Sequence, residues 1–193
     1  MFDEFIASFA LLFIIMNPLS SIPVYLSLAE KLTVKQKGFA LYEASLVAGG
    51  LAIAFLFFGP EFLKLLGLTN SSFKIAGGIV LGILGLQTVL NIKFSSKPQE
   101  KDPKTLGLII GTPMLTGPGV LTSVLLSSRD SGYVVTFFAI IAVVAASWLV
   151  LSYANKLEKW LGHRFISVFS RVMGLFLVAR GVQLLVLGVV ELI

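Results

Sequence analysis

Asn17-Pro18-Leu19-Ser20-Ser21-Ile22-Pro23 and Pro113-Met114-Leu115-Thr116-Gly117-Pro118-Gly119 each set two prolines five residues apart inside an otherwise apolar stretch. A proline within a helix removes an N–H and clashes with the carbonyl four residues back, so Ile14, Leu19, Ile109 and Met114 are each expected to lose their helical partner. In hydrocarbon such a loss is tolerated only where protein or a water-filled cavity takes up the freed groups. The same interruption at matching places in two halves of a chain points to a solute site at mid-membrane.

The remainder of the sequence places these interruptions in a bilayer. Of 193 residues, 56% are apolar and only 13% charged, outside the range of an ordinary soluble domain. Crossing a hydrocarbon core of about 30 Å takes roughly 20 helical residues. Apolar stretches near residues 5–28, 40–60, 72–92, 105–128, 133–154 and 168–191 come close to that length. The fold expected is all-α, a polytopic membrane protein of six transmembrane helices in a single domain, residues 1–193. The acidic start Met1-Phe2-Asp3-Glu4 has no Lys or Arg before the apolar run, which argues that the first span is retained rather than cleaved. With no cysteine, disulfides, thiolate metal sites and thiol nucleophiles are excluded.

Basic residues set the orientation. Eleven (Lys31, Lys35, Lys37, Lys93, Lys97, Lys101, Lys104, Lys156, Lys159, Arg164 and Arg171) follow spans 1, 3 and 5, and only Lys64, Lys74 and Arg129 lie on the other side. The positive-inside rule then places both termini outside a cytoplasmic membrane. Topology and anionic lipid account for the basic balance without a nucleic-acid partner.

The chain also repeats. A shift of 95 carries Pro18 onto Pro113, Pro23 onto Pro118 and Gly67 onto Gly162. A shift of 96 carries Phe73 onto Phe169, Gly78 onto Gly174, Gly85 onto Gly181 and Gln87 onto Gln183. Repeat one covers 1–92 and repeat two 105–193, joined by a polar linker over 93–104. Three spans per copy is an odd number, so the copies insert in opposite senses, giving two inverted three-helix repeats with discontinuous helices 1 and 4. Glu61 to Leu66 and Asn155 to Gly162 read as short interfacial lead-ins to spans 3 and 6. Gly78-x-x-x-Gly82 is a small-residue face suited to close helix approach.

The chemistry expected lies at the breaks. Gly117 as N-cap and Pro118 as first helical residue would leave the N–H groups of Gly119, Val120 and Leu121 facing the break, a seat for a carboxylate. Hydroxyls of Ser20, Ser21, Thr116 and Thr122 and the amide of Asn17 donate and accept, while carbonyls freed before Pro18, Pro23, Pro113 and Pro118 would accept from an ammonium. Half-helix N-termini for an anion and carbonyls for a cation suit a zwitterion; the same carbonyls would also bind Na⁺ or water. Kinked, tightly packed helices are the plain structural alternative. Gln87 and Gln183 are expected to face the interior, as helix-to-helix hydrogen bonds or as partners of the freed carbonyls. Arg180 stands near mid-span, where a charge is costly and calls for carbonyls, a carboxylate or water, with Glu43 a candidate partner.

Together these motifs resemble the MarC family of six-span membrane proteins, which includes the SnatA small neutral amino-acid transporters and is similar to the LysE-type exporters. The family pattern Asn-Pro-x-Gly-Asn-x-Pro is met by NPLSSIP, with Ser20 and Ser21 in place of Gly and Asn, and Pro-x-x-x-Gly-Pro-Gly by PMLTGPG followed by Thr122. Phe73-Lys-Ile-Ala-Gly-Gly in span 3, and Arg171-Val-Met-Gly with Gln183 in span 6, extend the resemblance along nearly the whole chain. Arg180 stands where the pattern is apolar. The resemblance implies an inverted-repeat fold and carriage of glycine, alanine or similar solutes, with no cofactor and with Na⁺ or H⁺ left open as coupling ion. A channel, or a transporter of another small polar solute or ion, is the alternative expectation. An enzyme is not expected: the lone histidine, His163, lies in a basic-side loop and the acidic residues gather near span ends.

Overall fold

A computed structural model describes residues 2–30, 32–90 and 103–192. Its elements are helices α1 (Phe2–Met16), α2 (Pro18–Leu28), α3 (Val34–Leu65), α4 (Asn70–Leu90) and α5 (Pro103–Ile109), a π-helical turn (Ile110–Leu115), and helices α6 (Pro118–Asp130), α7 (Tyr133–Ser152) and α8 (Ala154–Val190). Among the described residues, five helical stretches are long and apolar enough to cross a membrane: Phe2–Leu28, Val34–Leu65, Asn70–Leu90, Tyr133–Ser152 and Arg164–Val190. The sixth stretch expected, 105–128, is divided among α5, the π turn and α6. Most of the linker expected over 93–104 lies outside the described residues.

Helix α3 starts at a reciprocal cap. Thr33 Oγ1 accepts from the Gln36 N–H at 3.4 Å, and Gln36 Oε1 accepts from the Thr33 N–H at 2.9 Å. Its buried stripe, Ala40, Ala44, Ala48, Ala52 and Leu56, recurs every four residues and is small enough to let other helices approach. Helices α5, α6 and α7 pack on α3, and Ala44, Ala48, Ala52 and Leu56 of the stripe share one apolar core with Leu12, Ile15 and Met16 of α1, Val120 and Val124 of α6, and Ile140 and Val143 of α7. The outer faces are apolar too. On α4, Ile79, Ile83, Leu86 and Leu90 are exposed while Gly77, Gly78, Leu81 and Gly85 are buried, so the helix presents aliphatic side chains to lipid and glycines to its neighbours.

The closest packing is between α4 and α8. A Cβ on Gly78 would stand 2.6 Å from the Gly181 carbonyl oxygen, and one on Gly181 would stand 2.7 Å from that of Gly78. Likewise a Cβ on Gly85 would be 2.7 Å from the oxygen of Gly174, and one on Gly174 2.9 Å from that of Gly85. The helices therefore run antiparallel with backbones touching at two levels. Under the shift of 96, Gly78 becomes Gly174 and Gly85 becomes Gly181, so the four glycines exchange contacts as residues do across a two-fold axis. Gly82 joins the contact through its backbone, whose nitrogen lies 2.7 Å from where a Gly181 Cβ would stand, while its own Cβ position is open, with no neighbouring atom within 4 Å.

Other neighbours follow the same exchange. α5 lies on α3 as α1 lies on α7; α4 meets α6 as α8 meets α2; α3 meets α6 as α7 meets α2. Gly67 and Gly162, paired by the shift of 95, both take positive φ, 67° and 77°. Gly162 is non-helical inside α8 and divides a lead-in over 154–161 from the span beyond it. The corresponding expectation for Glu61 to Leu66 is corrected, because α3 continues unbroken to Leu65 and turns only at Gly67.

Where the start of α4 meets the end of α8 an ionic clamp joins the pair. The buried Lys74 ammonium donates to Glu191, and Ser71 Oγ donates to the second carboxylate oxygen at 3.1 Å. The Lys74 hydrogen bond holds the Glu191 carboxyl below the usual carboxylate range, with burial acting in the opposite sense and the Ser71 hydroxyl and the charges of Lys74 and Arg129 assisting.

Candidate functional site: two unlike helix breaks

The two proline motifs occupy equivalent positions but break differently. In the first, α1 ends at Met16, Asn17 takes a left-handed conformation (φ 45°, ψ 57°), and α2 begins at Pro18. Asn17 Oδ1 accepts from the Ser20 N–H at 3.4 Å, and Ser21 Oγ donates to the Asn17 carbonyl at 3.3 Å. Asparagine is among the few non-glycine residues at home in this backbone region. The next proline, Pro23, is carried inside α2.

In the second motif the residue before the first proline is Thr112, whose branched Cβ is excluded from the left-handed region. Its hydroxyl donates to the Leu108 carbonyl at 2.6 Å, holding it on the helix. The chain then passes Pro113 in the π turn, where the Thr116 N–H reaches back five residues to the Gly111 carbonyl at 3.2 Å. The helix restarts at the second proline, Pro118, after an extended Gly117 (φ −73°, ψ 173°). Repeat one therefore restarts at its first proline and repeat two at its second.

Each break is closely enclosed. Thr122 packs on Gly77, leaving no room there for a Cβ, and Gly119 is pressed on Leu81, so the start of α6 seats on α4. A Cβ on Gly107 would be 2.9 Å from the Ala40 carbonyl oxygen and one on Gly111 2.7 Å from that of Ala44, so α5 and the π turn run along the small stripe of α3. Asn17, Ser21, Thr116, Gly117, Gly119 and Thr122 are buried, and Ser20 is half-buried.

The carboxylate seat expected at α6 is corrected. The N–H groups of Val120 and Leu121 both donate to the Gly117 carbonyl, at 2.9 and 3.3 Å, which leaves only Gly119 of the three without a bond among the described residues. At α2, the Asn17 side chain caps one of the corresponding donors, the Ser20 N–H. Polarity at the second break resides instead in hydroxyls: Thr116 Oγ1 and Ser123 Oγ are buried without a hydrogen-bond partner among the described residues. An unpaired buried hydroxyl costs about 1–3 kcal/mol, and such groups in native proteins ordinarily mark a water, ion or ligand contact.

Ser123 was not among the residues singled out from sequence. Its spacing with Ser127 and Ser131 is the signal, one residue per helical turn on one face of α6 and its C-cap. Ser127 Oγ donates to Ser8 Oγ of α1 at 2.7 Å, Ser8 Oγ to Ser131 Oγ at 3.1 Å, and Thr136 Oγ1 of α7 lies 3.5 Å from Ser127 Oγ. These hydroxyls join α1, α6 and α7 at the end of the bundle that carries Asp130 and Tyr133, and Ser123, one turn nearer the second break, is not hydrogen-bonded to them.

The three remaining candidates lie apart from the breaks or differ from expectation. Gln87 is half-buried, but Gln183 is exposed, and its Oε1 accepts from Arg180 Nη1 at 2.6 Å. Glu43 is not the partner of Arg180; it lies against Gly107 of α5. Arg180 borders a cleft of about 230 Å³ with Gln183, Phe176 and Ala179 of α8 and Leu11, Ile14 and Ile15 of α1. Insertion scales put an arginine at a helix centre at about 2.5–3.5 kcal/mol unfavourable, so its retention implies a compensating contact.

A polytopic helical bundle with two proline-broken helices, apolar outside and closely packed through glycines within, is an integral membrane protein. The model of the family described as MarC family integral membrane protein matches residues 2–193, and the chain belongs to that family. A UPF0056 membrane protein of Methanocaldococcus jannaschii is 30% identical, with 96% of this chain and 95% of that protein covered. The UPF0056 membrane protein YhcE of Escherichia coli is 28% identical over 97% of this chain and 93% of its own, and YvbG of Bacillus subtilis 30% identical over 97% and 95%. No solved structure matches the chain.

Proposed function

We propose that the chain is a secondary transporter of small neutral amino acids of the glycine and alanine kind in the cytoplasmic membrane. Its two halves act as inverted three-span repeats, the broken stretch of residues 103–130 counting as the sixth span and both termini lying outside. The observation that carries this reading is the unlike state of the two equivalent breaks. Two copies of one plan related by an inverting axis, one restarted at its first proline and the other at its second, form a pair of states whose exchange would turn access from one face of the membrane to the other. The reciprocal glycine contacts between α4 and α8 support the axis about which that exchange would occur. Thr116 and Ser123 support a polar solute, because each hydroxyl lacks, among the described residues, a partner that a carboxylate or ammonium would supply. Similarity of the motifs to the SnatA transporters favours an amino acid among polar solutes.

Solute counterflow in proteoliposomes tests this. Vesicles holding the purified chain and loaded with unlabelled alanine should accumulate labelled glycine or alanine above protein-free vesicles. Thr116→Val, which keeps the shape and removes the hydroxyl, should weaken apparent affinity about ten-fold, the worth of one hydrogen bond of roughly 1.4 kcal/mol. Absence of counterflow with a folded protein, or unchanged affinity in Thr116→Val, contradicts the assignment.

A further inference from the structure

The cleft between α1 and α8 has a chemistry unlike that of the breaks. Five of its seven lining residues, Leu11, Ile14, Ile15, Phe176 and Ala179, are apolar, and its polar end is Arg180 with Gln183. The guanidinium spends one N–H on the Gln183 amide oxygen, while its Nε–H is buried with no hydrogen-bond partner among the described residues. No carboxylate among the described residues is within ion-pairing distance; the charge of Asp130 acts on Arg180 only from farther away. Gln183 Oε1 already accepts from the arginine, so the side chains lining the cleft offer a cation with spare donors and no carboxylate to oppose an ammonium. The guanidinium fork matches a planar carboxylate, and desolvated surroundings strengthen that pairing. The volume is that of about eight waters, room for a body of a few carbon atoms beside the carboxylate.

We propose that this cleft is a carboxylate site, separate from the helix breaks, that takes a monocarboxylate with an apolar body and no ammonium group, its carboxylate on Arg180 and its hydrocarbon against Ile14, Ile15 and Phe176. The repeat makes the site one-sided. The shift of 96 that carries Gln87 onto Gln183 carries Leu84 onto Arg180, so the equivalent place in repeat one has the amide without the cation. A short free acid and the head of a fatty acid share this chemistry.

The test is thermal unfolding of the detergent-purified full chain and of Arg180→Leu, which installs the residue of the other repeat. Each is titrated with sodium propionate, sodium decanoate, sodium chloride and glycine. The wild-type midpoint should rise saturably with propionate or decanoate and not with chloride, and in Arg180→Leu the half-saturating concentration should rise at least ten-fold. Propionate acting alone identifies a free acid, and decanoate acting alone a fatty acid; either upholds the site. Ala179→Leu, which keeps the charge and fills the cleft, should weaken the same response and serves if Arg180→Leu fails to fold. Equal responses in wild type and variants, or a wild-type shift matched by chloride, overturn the proposal. Glycine separates the two sites: a glycine shift unchanged in Arg180→Leu leaves the amino-acid reading standing whatever the acids do, and an acid shift without a glycine shift does the reverse.

Discussion

Replacing Gly181 by alanine should lower the stability of the folded chain by about 3 kcal/mol, at the upper end of what overpacking costs. The added methyl would stand 2.7 Å from the Gly78 carbonyl oxygen and 2.7 Å from the Gly82 nitrogen. Both neighbours are backbone, so no rotamer change relieves the contact and α4 must move away from α8. Movement there also loosens the second level of contact, Gly85 on Gly174, seven residues along both helices. For a chain of this length the loss corresponds to a midpoint lowered by about 6–12 °C in a thermal scan. Gly82→Ala is the matched control, one turn from Gly78 on the same helix but with nothing within 4 Å of the new methyl. It should be neutral or slightly stabilising, since alanine is the better helix former by about 1 kcal/mol. Equal losses in the two variants would show that the helices do not meet in this register.

Asn17 should be nearly as sensitive, for a different reason. Its left-handed backbone (φ 45°) costs a β-branched residue about 1–2 kcal/mol, and its side-chain cap on α2 is worth about 1 kcal/mol more. Asn17→Val should therefore destabilise by about 2–3 kcal/mol. Asn17→Gly, which keeps the conformation and loses only the side-chain oxygen, should cost a few tenths. If glycine and valine are equally harmful, it is the cap or a solute contact that matters; if both are harmless, α1 and α2 are not divided at this residue.

How far the sequence can be read depends on which force fixes each feature. Proline acts through the covalent backbone, so the positions of both breaks were legible from Pro18, Pro23, Pro113 and Pro118 alone. The correspondence of the halves could be read because Gly67 and Gly162 turn the chain at positive φ and because Gly78, Gly85, Gly174 and Gly181 bring backbones together, roles that favour glycine. What proline spacing does not disclose is which of two prolines restarts the helix. That choice is made by neighbours, Asn17 against Thr112 and Ile22 against Gly117, so two motifs with the same spacing adopt different breaks.

Features set by tertiary contact were read less well. A carboxylate seat was expected at the start of α6 by treating three N–H groups as free, whereas the Gly117 carbonyl takes two of them. Gln87 and Gln183 were both expected to face the interior, but Gln183 is exposed and engaged by Arg180 one turn away, where the equivalent place beside Gln87 has Leu84. Ser123 escaped notice because serine on an apolar helix has no covalent signature; only the turn-by-turn series with Ser127 and Ser131 marks that face.

The transport reading rests on an inverted relation of the halves, with which the reciprocal glycine contacts of α4 and α8 agree, and paired single-cysteine labelling tests that relation most directly. The chain contains no cysteine of its own. Lys64 and Lys159 are equivalent under the shift of 95, and both side chains are exposed. Lys64→Cys and Lys159→Cys, each expressed alone in cells and treated with a membrane-impermeant maleimide, should react from opposite faces. The cysteine at 64 should label in intact cells, and that at 159 only after permeabilisation. Labelling of both from the same face would contradict the inverted repeat, and with it the alternating exchange of the two breaks.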